Sequence, residues 1–153
     1  ALSNGRTPFL TTEVGVNSGY MIVQYSAASM VSENKVLAHP SSVDSIPSSA
    51  NQEDMVSMGT TAARKSGWIV QNTLSVLADE LLTACQAIDI RRRLNTHGQG
   101  ISPVHQKVFD RVRKDIAFYE TDRELWQDIQ AAEKLVRSGE LLEIVHETVS
   151  DFE

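Results

Sequence analysis

The sequence predicts an all-α protein built from long packed helices. Three observations carry that prediction. Residues 18–37 run without proline and place apolar or small side chains on most helical faces. Residues 60–94 carry Val70, Leu74, Leu77, Leu81, Ala84 and Ile88 at alternating four- and three-residue steps, the a/d seam of a packed helix. No stretch shows the alternation of a half-buried strand.

Each element follows in order. The first 17 residues hold Gly5, Pro8, Gly15 and Asn17 and read as a loop. The helix over 18–37 carries Met21, Val23, Ala27, Met30 and Val36, with Tyr20 and Tyr25 adding bulk. A helix apolar nearly all round wants cover on every side. A chain of 153 residues does not easily supply it, which implies a larger protein or an oligomer. His39-Pro40 closes the helix, because the residue before proline is pushed out of helical angles. Residues 40–52 are rich in serine, with Pro40 and Pro47, and form a long loop of the functional kind. Residues 54–58 read as a short helical turn.

The helix over 60–94 ends at residues 95–100, a run that includes His97 and two glycines. Ser102 and Pro103 start the next helix as N-cap and first-turn proline. Val104, Val108, Val112, Ile116 and Tyr119 mark its face. Thr121 then caps a further helix, with Glu124 completing a capping box. That helix carries Leu125, Ile129, Ala132 and Val136 and ends at Ser138-Gly139, and a short last helix covers 140–149. Residues 1–100 thus hold the loop and the central bundle helices, and 101–153 a C-terminal helical segment of one continuous domain.

The formal net charge of −6 argues against nucleic acid, which would want a basic face. Arg91, Arg92 and Arg93 sit at a helix end, where cations suit the dipole. The single cysteine, Cys85, excludes an internal disulfide and falls on an apolar helix pattern, as a small core residue would. A reducing cytoplasm fits. No apolar run reaches the ~18–20 residues of a membrane span. The first residues do not form a signal peptide and lack an initiator methionine, so the chain reads as the interior of a longer polypeptide. His39, His97, His105 and His146 show no metal-ligand spacing, and surface or capping roles are expected. No phosphate-binding glycine loop and no Gly-x-Ser-x-Gly elbow occurs.

The most informative segment is Ser48-Ser49-Ala50-Asn51-Gln52-Glu53-Asp54. A helix N-terminus needs one or two such residues, as caps or as acids facing the dipole. It does not need Asn, Gln, Glu and Asp in a row. Four adjacent hydrogen-bonding groups between two helices read as a site.

The same loop carries a resemblance. Asn17-Ser18-Gly19-Tyr20-Met21, Ser32-Glu33-Asn34-Lys35, Leu37-Ala38-His39-Pro40, Ser42-Val43-Asp44-Ser45-Ile46-Pro47, Ala50-Asn51-Gln52-Glu53-Asp54 and Val56-Ser57-Met58-Gly59 follow one another in the order found in the histidine ammonia-lyase superfamily. The likeness is nearly continuous to residue 60 and looser to 94. Beyond about residue 100 it is one of helical character only. It implies the C-terminal part of an aromatic amino acid ammonia-lyase or 2,3-aminomutase, a helical tetramer acting on histidine, tyrosine or phenylalanine. Such enzymes use a methylidene-imidazolone (MIO) electrophile, made from an internal Ala-Ser-Gly. By the resemblance, Glu53 stands near the substrate for polar contact or proton transfer. Gln52 and Asn51 hydrogen-bond around the prosthetic group. Met21 lines the substrate ring pocket. Met55 stands where many relatives carry histidine, which leans toward a tyrosine- or phenylalanine-type substrate. The chain contains no Ala-Ser-Gly, so the electrophile would be formed outside it, in the N-terminal part of the enzyme, and the chain alone is expected to be inactive. The alternative is a non-catalytic helical domain that self-associates.

Overall fold

The computed structural model describes residues 7–94 and 100–149, and helical spacing and punctuation place five α-helices among them. They are α1 (Met21–Leu37), α2 (Gly59–Leu94), α3 (Pro103–Asp115), α4 (Trp126–Ser138) and α5 (Glu140–Thr148). Single 3-10 turns occur at Pro8–Leu10, Ser41–Val43 and Ser49–Asn51. No strand occurs among the described residues, so the all-α expectation holds. The expected break at 95–99, with His97, lies outside the described residues.

The chain forms two compact units. One comprises the described residues up to Ala27 together with those from Leu74 onward, and the other is Ala28–Thr73. The core of the first gathers Tyr20 and Val23 from its N-terminal stretch with Ala78, Leu82 and Cys85 of α2. Phe109, Val112, Ile116, Tyr119, Ala132 and Leu135 complete it. In this unit α5 packs on both α3 and α4, which also touch each other. Ser102 caps α3 with its hydroxyl toward the His105 N–H, and Pro103 opens the first turn. Gly139, at φ +80°, ends α4 and begins α5 in the left-handed conformation that glycine adopts without a Cβ penalty. Cys85 is buried at 3% exposure, and burial raises its thiol pKa, as a core residue requires.

Four sequence expectations change. The spacing that continues Val112 through Ile116 and Tyr119 is not helical. α3 stops at Asp115, although both residues are buried. The reason is Gln86, fully buried on α2. Its carboxamide accepts from Tyr119 N–H at 3.1 Å and donates to Tyr119 O at 2.7 Å and Leu10 O at 3.1 Å. Main-chain groups satisfied this way need no helix. Thr121 caps nothing. α4 begins at Trp126 with Leu125 at its N-cap and no side-chain cap. Glu124 instead accepts from Trp126 Nε1 at 3.1 Å.

Residues 54–58 are not a helical turn. The a/d seam of α2 is also not its most buried face. Val70 is 58% and Leu77 43% exposed, whereas Ala78, Asp79, Leu82, Cys85, Gln86 and Ile90 are buried. Only Val23 of α1 is buried, so most of that apolar helix lies uncovered by the described residues.

Candidate functional site

The loop after α1 is built by polar anchors within Ala28–Thr73. Lys65 Nζ donates to the His39 carbonyl, where Pro40 ends the helical run, and to Ser41 Oγ at 3.4 Å. Asn72 Nδ2 donates to Glu33 Oε2 at 2.7 Å and to Asn34 Oδ1 at 3.0 Å. Val56 N–H donates to Ser45 Oγ at 2.8 Å. Between these anchors, Ser48 and Glu53 exchange both main-chain hydrogen bonds, at 2.9 and 3.3 Å, and close a small loop.

Inside that loop Ser49, Ala50 and Asn51 have φ of 52°, 55° and 68°. All three stand in the left-handed region, and none is glycine. Asparagine tolerates this conformation, but serine and alanine lose roughly 1–2 kcal/mol each there. Strain of this kind concentrates at functional sites. The turn carries Asn51, Gln52 and Glu53 to the surface with their side chains exposed. Two carboxamides and a carboxylate in sequence offer donors and acceptors to a small polar ligand. Met55 follows at 74% exposure. The structure therefore places Asn51, Gln52, Glu53 and Met55 together on one loop.

Met21 belongs to the other unit. It is half-buried at the start of α1 and lines a groove of about 840 Å³ with Leu10, Tyr20, Gln24, Asp79 and Ile88 among its walls. Asp79 was not singled out by sequence. It is 2% exposed and neither carboxylate oxygen has a hydrogen-bond partner. Burial, with the Glu133 carboxylate adding to it, pushes its pKa up to about 6. Asp122, equally unmarked in the sequence, accepts from the Ser18 and Gly19 N–H groups, and those bonds hold its pKa below the usual carboxylate range. An acid on a face of small and apolar residues is the signal that could have drawn attention to Asp79. No such pattern marks Asp122 or Gln86.

Among the described residues no group of three His, Cys, Asp or Glu side chains could hold a metal ion. No described helix is long and apolar enough to cross a membrane.

This all-helical architecture, with an exposed and strained polar loop, has counterparts of known family. The chain belongs to the aromatic amino acid lyase family, whose model matches residues 1–114. Histidine ammonia-lyase 1 of Fusobacterium nucleatum is 51% identical over 153 residues, which is 100% of this chain and 29% of that protein. The crystal structure of histidine ammonia-lyase from Trypanosoma cruzi superposes with a TM-score of 0.84 at 42% identity, covering 94% of this chain and 27% of that one. Tyrosine aminomutase from Streptomyces globisporus gives a TM-score of 0.85 at 32% identity, over 99% of this chain and 28% of that one. The chain thus spans under a third of the length of these relatives. The Fusobacterium protein aligns along the whole chain, whereas the family model stops at residue 114.

Proposed function

We propose that this chain is the C-terminal part of an MIO-dependent ammonia-lyase that deaminates histidine in the cytoplasm. The observation that carries the reading is the left-handed turn over Ser49, Ala50 and Asn51, which presents Asn51, Gln52 and Glu53 outward. The histidine ammonia-lyases about half identical to it support histidine over tyrosine or phenylalanine.

The prosthetic group, when bound, supplies an electrophile for the substrate amine. The residues here fit its surroundings, because carboxamides both donate and accept, as an imidazolone's carbonyl and ring nitrogens require. Asn51 and Gln52 would hold the group by hydrogen bonds. Glu53 contacts the polar end of the substrate or takes up its proton. By the family resemblance Met21 would line a ring pocket, and Met55 sets an apolar side chain two residues after Glu53. Because the chain has no Ala-Ser-Gly, the 153 residues alone form no such electrophile and turn over no aromatic amino acid.

The experiment is steady-state deamination by the intact enzyme before and after Glu53→Gln. Ammonia and the matching arylacrylate should appear from histidine. The substitution should cut turnover about 10-fold or more, equivalent to at least ~1.4 kcal/mol of transition-state stabilisation. The thermal midpoint should stay unchanged. Unchanged turnover with a lowered midpoint would return Glu53 to a purely structural role. A β-amino acid product would point to an aminomutase instead.

A second reading has its own support. Val36, Val43, Ile46, Trp68 and Val70 are each more than half exposed, an apolar display that suits a helical self-association domain or the subunit contacts of a tetramer. Sedimentation of the 153-residue chain at micromolar concentration tests it, with association expected.

A further inference from the structure

Asp122 lies in the non-helical segment between α3 and α4, and its hydrogen bonds reach back across most of the chain. Oδ2 accepts from Ser18 N–H at 2.7 Å and Oδ1 from Gly19 N–H at 3.0 Å. Oδ1 also accepts from the Tyr119 hydroxyl at 3.1 Å, and the Asp122 N–H donates to Asn17 Oδ1 at 3.0 Å. These bonds fasten residues 17–19, the turn that leads directly into α1.

That turn has little slack of its own. Gly19 has φ +56°, and a Cβ there would stand 2.5 Å from the Phe9 carbonyl oxygen. The same oxygen accepts from Tyr20 N–H at 2.8 Å, and the Tyr20 ring meets Tyr119 edge-on at 5.5 Å. α1 has no acidic residue in its first turn. Asp122 therefore brings from elsewhere in the chain the negative charge that a helix N-terminus favours, through charge-assisted bonds to main-chain donors. Met21 is the first residue of α1 and the next but one after Gly19.

We propose that Asp122 is a positioning residue for the substrate pocket: by fixing the Asn17–Gly19 turn it fixes where Met21 stands. The inference rests on the reading of the intact protein as an ammonia-lyase with Met21 against the substrate ring. The carboxylate is required as such. An asparagine would turn an NH₂ toward one of the two N–H donors and lose that bond.

The test is a double-mutant cycle in the intact enzyme with histidine as substrate, using Asp122→Asn, Met21→Ala and the pair. Asp122→Asn is expected to raise KM about 10-fold with kcat within about threefold, the pattern of lost uniform binding. On the Met21→Ala background the same change should have little further effect, because the two act through one contact. Equal KM effects in both backgrounds, or a fall in kcat with KM unchanged, would overturn the proposal.

Amide exchange supplies a reading independent of activity. The Ser18 and Gly19 N–H groups should be protected in the parent and lose protection in Asp122→Asn, and unchanged protection would overturn the tether. Should that variant not fold, Asn17→Ala removes one bond of the set and is expected to move KM in the same direction. No movement would count against the proposal. A parent inactive on histidine, tyrosine and phenylalanine overturns the functional reading instead, while exchange at Ser18 and Gly19 still decides the tether.

Discussion

The unit that holds Leu82 and the unit that holds Glu53 are stabilised by different means. In the first, Leu82, Ile116 and Val112 are at most 1% exposed, and the buried carboxamide of Gln86 has its hydrogen bonds made. In the second, Ala28–Thr73, no residue is buried. It is organised by polar anchors from Lys65, Asn72 and Ser45 and by the two main-chain bonds between Ser48 and Glu53. Apolar burial contributes most of a domain's stability. Stability is therefore concentrated around Leu82, while the strained turn and its polar groups sit where little burial restrains them. A region with few buried contacts is also the one expected to open locally first.

A cavity in the first unit should have the largest effect. Leu82→Ala should destabilise the chain by about 2–5 kcal/mol in chemical denaturation. A loss well under ~1 kcal/mol would mean that the core around Leu82 does not carry the stability assigned to it.

Asp79 sharpens the same contrast, since it is the uncompensated charge of the well-packed unit. Its folded pKa of about 6 lies above the ordinary value of 3.8, so between those pH values the folded chain keeps a proton that the unfolded chain has lost. Stability should then fall as pH rises from about 4 to 6 and level off above that window. Asp79→Asn should flatten that slope and add on the order of 2 kcal/mol at pH 7. Denaturation midpoints across that pH range decide it, and an unaltered slope in the variant would reassign the effect to another group.

The smallest effect belongs to the loop. Ala50→Gly relieves a left-handed φ worth roughly 1–2 kcal/mol and adds chain entropy to the unfolded state worth about 0.5–1 kcal/mol. The net should be a gain of no more than about 1 kcal/mol in the denaturation midpoint, with main-chain exchange at Ser48 and Glu53 unchanged. A destabilised variant would show that the turn is not strained.

Helix ends marked by particular residues were legible. Pro40, the Ser102-Pro103 pair and Gly139 each act through local geometry, and each lies where the sequence implies. The polar loop was legible as a feature, since Asn51, Gln52 and Glu53 stand in sequence, but its left-handed turn was not, because Ser49 and Ala50 carry no glycine signal.

The segment after α3 misled for a physical reason. Ile116 and Tyr119 continue the helical spacing and are buried, and spacing reports burial rather than hydrogen bonding. What satisfies the main chain there is Gln86, more than thirty residues earlier in the chain. The buried face of α2 was hidden because it mixes Ala78, Asp79 and Gln86 with Leu82 and Cys85, while the larger apolar residues Val70 and Leu77 face outward. Long-range polar contacts such as those of Asp122 leave no periodic trace.

The bond between Ser18 and Asp122 joins positions 104 residues apart. Ribosomes add roughly 5–20 residues per second, so Asp122 is synthesised about 5–20 seconds after Ser18. For most of that interval Tyr20 and Val23 exist without Phe109 or Tyr119, Leu135 follows later still, and α1 lacks the distant carboxylate at its N-terminus. α3, α4 and α5 are close in sequence and can associate at once, because short-range contacts form fast. An arm carrying Met21 that docks onto them would leave Tyr20 and Val23 open to chaperones, or to other chains, until α5 has emerged.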